Sequence, residues 1–448
     1  MNAPHAGAAV IDGHRAGAAV MDGHLAGPAV MDAPRAEALG PLADKVTLSS
    51  SGLRDFSSCN MQDALKLAEG LVPVLRERAK ATEQARRILP ETIEDLNASG
   101  LLRFVQPKRW GGMELPFESL VRIPAQLARG CASTAWCVGN WAIHHWMLAL
   151  YEERAQCDIW DSDPDALIAS GIAYPQGHAE PVEGGFVISG HWNFSSGVDP
   201  SPWNMLAALL REGDRVVDYL MCLVPRHEYE IVDDWQVLGM SGTGSKSVKA
   251  KDVFVPAHRA LSMLKARGGR DFPGASIHQN PLFTIGLSTM GTHCLVGAAI
   301  GNAQAALETT IDLVEQRSTS YQSLKMRDLP AVQQRLAAAG ARIDAARALA
   351  LEDCAIAQRM AAEDRVPTLI EKLRPKRNVA FAVQLCTEAV DSLHALAGAN
   401  GIYDHYPIQR IFRDAHALMG HFGFNWDAQS MPWGAVALGA DYRAPATL

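Results

Sequence analysis

Two adjacent histidines have the residue type and surroundings of a candidate base. His144 and His145 lie in an apolar stretch that also contains Trp136, Trp141 and Trp146. A neutral imidazole in an aromatic pocket can remove a phenolic proton near neutral pH, because its pKa lies close to the working pH. The alternative is that both are core histidines with satisfied hydrogen bonds. The residue types are consistent with a catalytic base and with a core histidine.

Small hydroxyl residues end one predicted strand. Ser195, Ser196 and Gly197 follow two aromatic residues, Trp192 and Phe194. Serines and a glycine at a strand end let the backbone approach a planar ligand closely and offer hydrogen-bonding groups to its polar edge. An ordinary Ser-Gly turn is the competing interpretation.

A second loop of small residues, MSGTGSKS at 240–247, carries Thr243 and Ser245. Its hydroxyls and backbone N–H groups suit a carbonyl-rich or anionic partner. Its glycines lack the Gly-x-Gly-x-x-Gly spacing, so we find no fingerprint for a nicotinamide cofactor. If the protein is a redox enzyme, its electrons must arrive on a carrier that is reduced elsewhere.

Composition excludes several classes of partner. The chain has 448 residues, 48% of them hydrophobic, and a formal net charge of -8, which indicates a globular protein of more than one domain. The negative balance disfavours nucleic acid and membrane surfaces, and no stretch reaches the roughly 18 apolar residues of a membrane span. Eight scattered cysteines without a Cys-x-x-Cys pair predict reduced thiols, no metal site and a cytoplasmic location.

The elements that must position these residues follow the order helices, strands, helices, which predicts an α+β fold. A decapeptide repeat rich in Gly, Ala and Pro predicts a disordered extension over residues 1–45. Helical periodicity predicts an N-terminal helical domain over 46–163 and a C-terminal four-helix bundle over 271–448. Short runs rich in Val, Ile, Trp and Tyr predict a small antiparallel β domain over 164–270.

Four stretches, taken together in this order, resemble one fold family. They are RGCASTAWCVGNWAIHH (129–145), SGHWNFSSGVD (189–199), WQVLGMSGTGSKSV (235–248) and GANGIYDHYPIQRIFRDAHALMGHFGFNWD (398–427). The chain resembles the acyl-CoA dehydrogenase fold, and within it the flavin-dependent monooxygenases that receive reduced flavin from a separate reductase. It is similar to the oxygenase components of 4-hydroxyphenylacetate hydroxylases and of steroid-ring phenol hydroxylases.

The resemblance implies a homotetramer with a flavin between the β domain and the C-terminal helices. It also implies an NAD(P)H:flavin reductase as partner and O2 as co-substrate. The implied reaction is hydroxylation of a small aromatic, phenolic molecule through a C4a-hydroperoxyflavin. Reduced FMN is the expected flavin, with FAD as the alternative.

The resemblance assigns roles to individual residues. His144 matches the histidine that meets the substrate phenol, His421 matches a second histidine that stabilises the oxygenated flavin, and Ser196 is expected near flavin N5. The expected flavin contacts are Trp192, Phe194, Ser195, Ser196, Gly197, Thr243, Ser245, Arg413 and Asp414. The expected pocket walls are Trp146, Asn280, Phe283, Phe422, Phe424 and Trp426. Aromatic residues at such spacing are equally consistent with core packing.

Two departures from these relatives bear on the substrate. Gly423 stands where the 4-hydroxyphenylacetate enzymes have a tyrosine, and HQNPLF (278–283) contains no arginine for a substrate acid group. Both differences favour a larger, uncharged aromatic substrate over a small carboxylate.

Three alternatives stay open. An acyl-CoA dehydrogenase with FAD would need a carboxylate base, but Phe422 occupies the usual position, which leaves Glu371 and Glu388 as substitutes. An N- or S-oxygenase of the same fold would not need His144 as a base. A flavin-binding protein without activity would not react with oxygen once reduced flavin is bound.

Overall fold

The computed structural model describes residues 45–48, 54–319 and 323–448. The predicted repeat extension therefore lies outside the described residues, apart from Lys45. The first described strands, β1 (Thr47–Leu48) and β2 (Arg54–Asp55), pair antiparallel. None of the described helices is long and apolar enough to cross a membrane.

Five helices form the N-terminal part of the chain. They are α1 (Met61–Ala85), α2 (Pro90–Ser99), α3 (Ser119–Ala128), α4 (Ala132–Leu148) and α5 (Glu153–Trp160). A capping box begins α1, because the Asn60 side chain accepts from Asp63 N and the Asp63 side chain accepts from Asn60 N. In α4 every residue except Asn140 is buried, so this helix forms the centre of the helical part.

An eight-stranded sheet follows. Its strands are β3 (Ile168–Gly171), β4 (Gly177–Val182), β5 (Gly185–Ser195), β6 (Trp203–Glu212), β7 (Arg215–Pro225), β8 (Glu230–Val232), β9 (Lys246–Pro256) and β10 (Ala260–Ser262). The order is β10-β7-β6-β4-β5-β9-β8, with β3 also pairing with β6.

Most strand pairs are antiparallel, as the sequence predicts, but β6 pairs in parallel with both β3 and β4. The parallel pairing arises because the chain leaves β5 on one side of β4 and enters β6 on the other. Residues 196–202 make this crossing, so the predicted Ser196-Gly197 turn lies at the end of the sheet.

Five helices complete the fold. They are α6 (Leu287–Gln316), α7 (Pro330–Ala362), α8 (Leu369–Ala397), α9 (Pro407–Met419) and α10 (Trp426–Ala437). The three long helices α6, α7 and α8 pack on one another, and α6 also packs against α3 and α4. One hydrophobic core therefore joins the N-terminal and C-terminal helices, while the sheet has a core of its own.

A buried pair of acceptors lies inside the helical core. His293 Nδ1 donates to Thr289 O over 2.9 Å, which leaves Nε2 with a lone pair. Asp353 Oδ2 lies 3.9 Å from that nitrogen, and neither atom has a hydrogen-bond partner among the described residues. Burial raises the pKa of Asp353 to about 6, because no donor compensates this oxygen for lost water.

The substitution Asp353→Asn is expected to raise the midpoint of thermal unfolding, and more at pH 8 than at pH 5. The pKa of Asp353 in the folded protein lies above its ordinary value of 3.8. The contribution of this residue to the free energy of unfolding is therefore fully present below pH 3.8 and is lost as the pH rises through 6. Asparagine cannot ionise, and its amide N–H would face the lone pair of His293 Nε2 in place of a carboxylate oxygen. Asp344→Asn, on the exposed side of α7, is the control. An equal gain at both pH values would contradict the expectation.

Candidate active site

Three predicted flavin contacts meet at the end of the sheet. Ser196 Oγ accepts a hydrogen bond from Trp136 Nε1 over 3.0 Å and lies 2.7 Å from Ser245 Oγ. Ser245 Oγ lies 2.7 Å from Thr243 Oγ1. The structure thus joins the two small-residue segments in one hydroxyl cluster and adds a side chain of α4.

Gly197 holds the crossing segment against α4. Its φ of +69° is in the left-handed region, and a Cβ atom here would lie 2.7 Å from the Trp141 ring. Its N–H donates to Thr243 O over 2.8 Å. Trp141 Nε1 in turn donates to Ser201 Oγ over 3.2 Å. Both the backbone conformation and the space therefore require glycine.

His421 lies beside the same tryptophan. Its ring is nearly perpendicular to that of Trp136, with centroids 5.4 Å apart, and Phe424 packs against both rings. His421 Nδ1 accepts from Gly423 N over 3.1 Å. Burial lowers the pKa of His421 to about 4, so the ring is neutral at pH 7 and carries its hydrogen on Nε2. His421 therefore presents a donor.

His144 has the opposite tautomer. Its Nδ1 donates to Ile168 O, the first carbonyl of β3, over 2.5 Å. Burial lowers the pKa of His144 to about 4, although the bond to Ile168 raises it. The neutral ring therefore has a lone pair on Nε2, which has no partner among the described residues. His144 presents an acceptor, as a base must.

The neighbouring His145 is held differently. Its Nδ1 accepts from Trp160 Nε1 over 3.1 Å, and the two rings stack with centroids 5.9 Å apart. Burial lowers the pKa of His145 to about 3. Its Nε2 therefore carries the hydrogen and is buried without a partner among the described residues, so His145 has no free lone pair to act as a base. The choice of His144 over His145 stays a prediction.

One face of α4 connects the two ends of the candidate site. Trp136, Asn140 and His144 follow at intervals of four residues, so they share a face over a rise of about 12 Å. Asn140 is the residue of α4 that is not buried. Within this face Asn140 is partly exposed, whereas Trp136 and His144 are buried.

Asp414 holds the loop that carries Thr243 and Ser245. Met240 N donates to its Oδ1 over 2.6 Å, and Met240 has a left-handed φ of +57°. Burial raises the pKa of Asp414 to about 6. Arg413 contacts Glu83 and donates to Leu238 O over 2.9 Å. These contacts show how both side chains support the loop; direct flavin contact by either stays a prediction.

The other predicted flavin contacts diverge. Trp192 lies fully buried in the core of the sheet, where its Nε1 donates to Ala207 O over 2.7 Å. Phe194 is 62% exposed and packs against the Trp235 ring, 5.5 Å away. Ser195 is buried and accepts from Asn204 Nδ2 over 3.0 Å. The structure brings none of these three side chains into the hydroxyl cluster.

The predicted pocket walls fall into three groups. Phe424 is buried beside His421, whereas Phe422 and Trp426 are 75% and 41% exposed. Trp146 is buried and donates from Nε1 to Leu282 O over 3.0 Å. The segment 280–283, which contains Leu282, has two further contacts. Asn280 donates to Glu114 Oε1 over 2.8 Å, and Phe283 packs against His278. Only Phe424 adjoins the Trp136 and His421 rings.

The carboxylates that a dehydrogenase would need lie elsewhere. Glu371 accepts from Arg365 and from Thr368 at the start of α8. Glu388 contacts Arg342 on the exposed side of the same helix. Neither carboxylate is part of the cluster around Trp136, so the structure offers no base for dehydrogenation at these positions.

Sequence reasoning did not single out Trp136 as a site residue. An indole N–H in a buried helix needs an acceptor, and this requirement was the available signal. The contact between α6 and the His421 turn was also missed: a Cβ at Gly423 would lie 2.6 Å from Thr292 Cγ2. Sequence separation conceals this contact, because it depends on how α6 packs.

The residues around Ser196 fit a flavin. Ser196 is partly exposed, with a hydroxyl that can meet a ring nitrogen, and it lies beside the small residues of the 240–247 loop. Trp136 and Phe424 supply apolar walls. Over the described ranges, no group of three or more His, Cys, Asp or Glu side chains could hold a metal ion.

Comparison with known proteins gives the same family at three levels. Residues 293–426 match the model of the acyl-CoA dehydrogenase C-terminal domain. The chain is 36% identical to the FADH2-dependent resorcinol hydroxylase oxygenase component of a Rhizobium species, over 83% of this chain and 93% of that protein. It is 30% identical to the p-hydroxyphenylacetate 3-hydroxylase oxygenase component of Acinetobacter baumannii, over 86% and 91%.

A solved structure agrees. The HsaA monooxygenase of Mycobacterium tuberculosis superposes with a TM-score of 0.82 at 31% identity, and the match covers 87% of this chain and all of that one. The predicted fold and family are confirmed. The chain belongs to the flavin-dependent monooxygenases of the acyl-CoA dehydrogenase fold, as the oxygenase component of a two-component aromatic hydroxylase.

Proposed function

We propose that the protein hydroxylates a fairly large, uncharged phenol next to its hydroxyl group, with His144 as the base. One oxygen atom of O2 enters the ring and the other leaves as water, while the reduced flavin is oxidised. The observation that carries this proposal is the neutral His144. Its Nδ1 is anchored on Ile168 O, and its Nε2, which has no hydrogen-bond partner among the described residues, lies on the same face of α4 as Trp136.

The side chains divide the work. The reduced flavin supplies the electrons that activate O2. His144 Nε2 accepts the phenol proton, which makes the ring carbon beside the hydroxyl more nucleophilic. His421 offers its Nε2 hydrogen to a developing negative charge on oxygen. Trp136 and Phe424 exclude water from this space, which limits the loss of oxygen as hydrogen peroxide.

The identity of the flavin and the substrate rests on finer arguments. Reduced FMN is our proposal from the sequence resemblance. The FADH2 in the name of the resorcinol hydroxylase makes reduced FAD the competing choice. An NAD(P)H:flavin reductase is the proposed donor, since the relatives are named as oxygenase components. Gly423 supports a substrate without a carboxylate, because no side chain from this position enters the site.

Two further properties are part of the proposal. Large apolar side chains are exposed on the C-terminal helices and turns, which supports a homotetramer that covers them. They are Ile402, Phe422, Trp426, Met431 and Leu438. All eight cysteines are free thiols, which supports a location in the reducing cytoplasm.

Rapid mixing tests the reaction. The full-length protein is incubated anaerobically with reduced FMN, or in parallel with reduced FAD, and mixed with oxygenated buffer while the flavin absorbance is followed. We expect a species distinct from reduced and oxidised flavin, and we expect phenols that are substrates to speed its decay. Free flavin without protein is the control. Oxidation in a single step, at the rate of free flavin, would contradict the proposal.

A further inference from the structure

A continuous chain of hydrogen bonds runs from α4 to the loop at 240–247. Trp136 Nε1 is 3.0 Å from Ser196 Oγ, which is 2.7 Å from Ser245 Oγ. Ser245 Oγ is 2.7 Å from Thr243 Oγ1, which is 2.8 Å from Met240 O. Ser245 and Thr243 are buried, so water does not compete for these bonds.

The two ends fix the direction of every bond between them. An indole N–H can only donate and a backbone carbonyl can only accept, whereas each hydroxyl has a single hydrogen. Thr243 therefore donates to Met240 O, Ser245 donates to Thr243, and Ser196 donates to Ser245. Reversal would leave Thr243 Oγ1 and Met240 O 2.8 Å apart without a hydrogen between them.

This direction decides what Ser196 can offer a ligand. Its hydrogen points to Ser245 and one lone pair receives the Trp136 N–H, so one lone pair is left. Of the three hydroxyl residues, Ser196 is partly exposed, whereas Thr243 and Ser245 are buried. Towards a ligand it is an acceptor and not a donor.

We infer that this hydroxyl chain makes the site select reduced over oxidised flavin. The inference rests on the proposed function, in which Ser196 faces flavin N5. Reduced flavin has a hydrogen on N5 and can donate to Ser196, whereas oxidised flavin has only a lone pair there. With oxidised flavin, the lone pairs of N5 and Ser196 would face each other and weaken binding. With reduced flavin, the N5 hydrogen would bond to Ser196 and strengthen binding. Thr243 and Ser245 thus act as positioning residues that set the polarity of Ser196.

The test compares dissociation constants for oxidised and reduced FMN, the latter measured anaerobically, on the full-length protein. We expect oxidised FMN to bind at least about tenfold more weakly than reduced FMN, as for the loss of one hydrogen bond. Thr243→Val removes the acceptor of Ser245 while keeping the side-chain shape. The chain can then reverse, so the preference for reduced FMN should fall by about tenfold.

Two variants control for folding and for general effects on the loop. Thr243→Ser keeps the hydroxyl and should keep the preference. Ser241→Ala removes a hydroxyl of the same turn that is bonded to Val237 O, outside the chain, and should leave the preference unchanged. An unchanged ratio in Thr243→Val, with both flavins still bound, would overturn the inference.

Ser196→Ala separates this inference from the proposed function. If the serine meets flavin N5, its loss should weaken the binding of reduced FMN. No change in reduced FMN binding by Ser196→Ala would refute the proposed flavin contact itself. If Ser196→Ala weakens the binding of reduced FMN but Thr243→Val leaves the preference for reduced FMN unchanged, only the role of the hydroxyl chain is refuted.

Discussion

The substitution His144→Asn is expected to lower the rate of phenol hydroxylation by about 100- to 10,000-fold, the usual contribution of a general base. Asparagine can still donate to Ile168 O in place of Nδ1, so the anchor to β3 is kept while the base at Nε2 is lost. The rate of substrate hydroxylation in single turnovers, with reduced flavin supplied in excess, measures the effect.

The pH dependence distinguishes a base from a packing residue. Burial lowers the pKa of His144 to about 4, so the wild-type base is in its active, neutral form throughout pH 6–8. The variant depends on phenol that is already ionised, so its rate should rise with pH and with fluorinated phenols of lower pKa. His145→Asn, at the adjacent core position, should lower thermal stability without this pH signature. Full turnover by His144→Asn would instead favour oxygenation at nitrogen or sulfur.

The substitution Gly197→Ala is expected to weaken the binding of reduced flavin by at least about tenfold. The new Cβ would lie 2.7 Å from the Trp141 ring, so the turn that carries Ser196 or the indole has to move. Movement of Trp141 would also break its hydrogen bond to Ser201. The dissociation constant for reduced flavin and the near-UV circular dichroism of the tryptophans measure the change.

A second glycine provides the matched control. Gly213 has a left-handed φ of +60°, but a Cβ there meets no atom within 4 Å. Gly213→Ala therefore has the backbone strain, about 1 kcal/mol, without the clash. It should leave flavin binding unchanged. Equal losses of binding in the two variants would show that backbone strain, and not contact with Trp141, explains the effect.

The fold was accessible from the sequence because its signals are local. Helical periodicity and short β-branched runs predict the order of helices and strands, and the four motif stretches identify the family. The parallel pairing of β6 was not predicted, because it depends on where the chain crosses β4 and not on any local pattern. The position of Trp192 could not be predicted from a local pattern either. A register shift between Trp192 and Ser195 ends the simple alternation of sides along β5, so strand period alone does not place these side chains.

The site shows which properties could not be predicted from the sequence. Residue types and family motifs pointed to His144, His421 and Ser196, but not to their hydrogen-bonding states. His144 is an acceptor because of a carbonyl in β3, and His421 is a donor because of its own turn at Gly423. Both tautomers depend on partners that only the folded chain supplies. Their roles in catalysis remain predictions for the variants above.

The bond between Met240 and Asp414 joins residues 174 positions apart in the chain. During translation the whole sheet is made before α9, so the bond from Met240 N to Asp414 can form only after residue 414 has been added. A nascent chain with a completed sheet lacks this one support of the loop, although Gly197 N can already donate to Thr243 O. The loop that carries Thr243 and Ser245 therefore gains its contact with Asp414 in one of the last steps of making the chain.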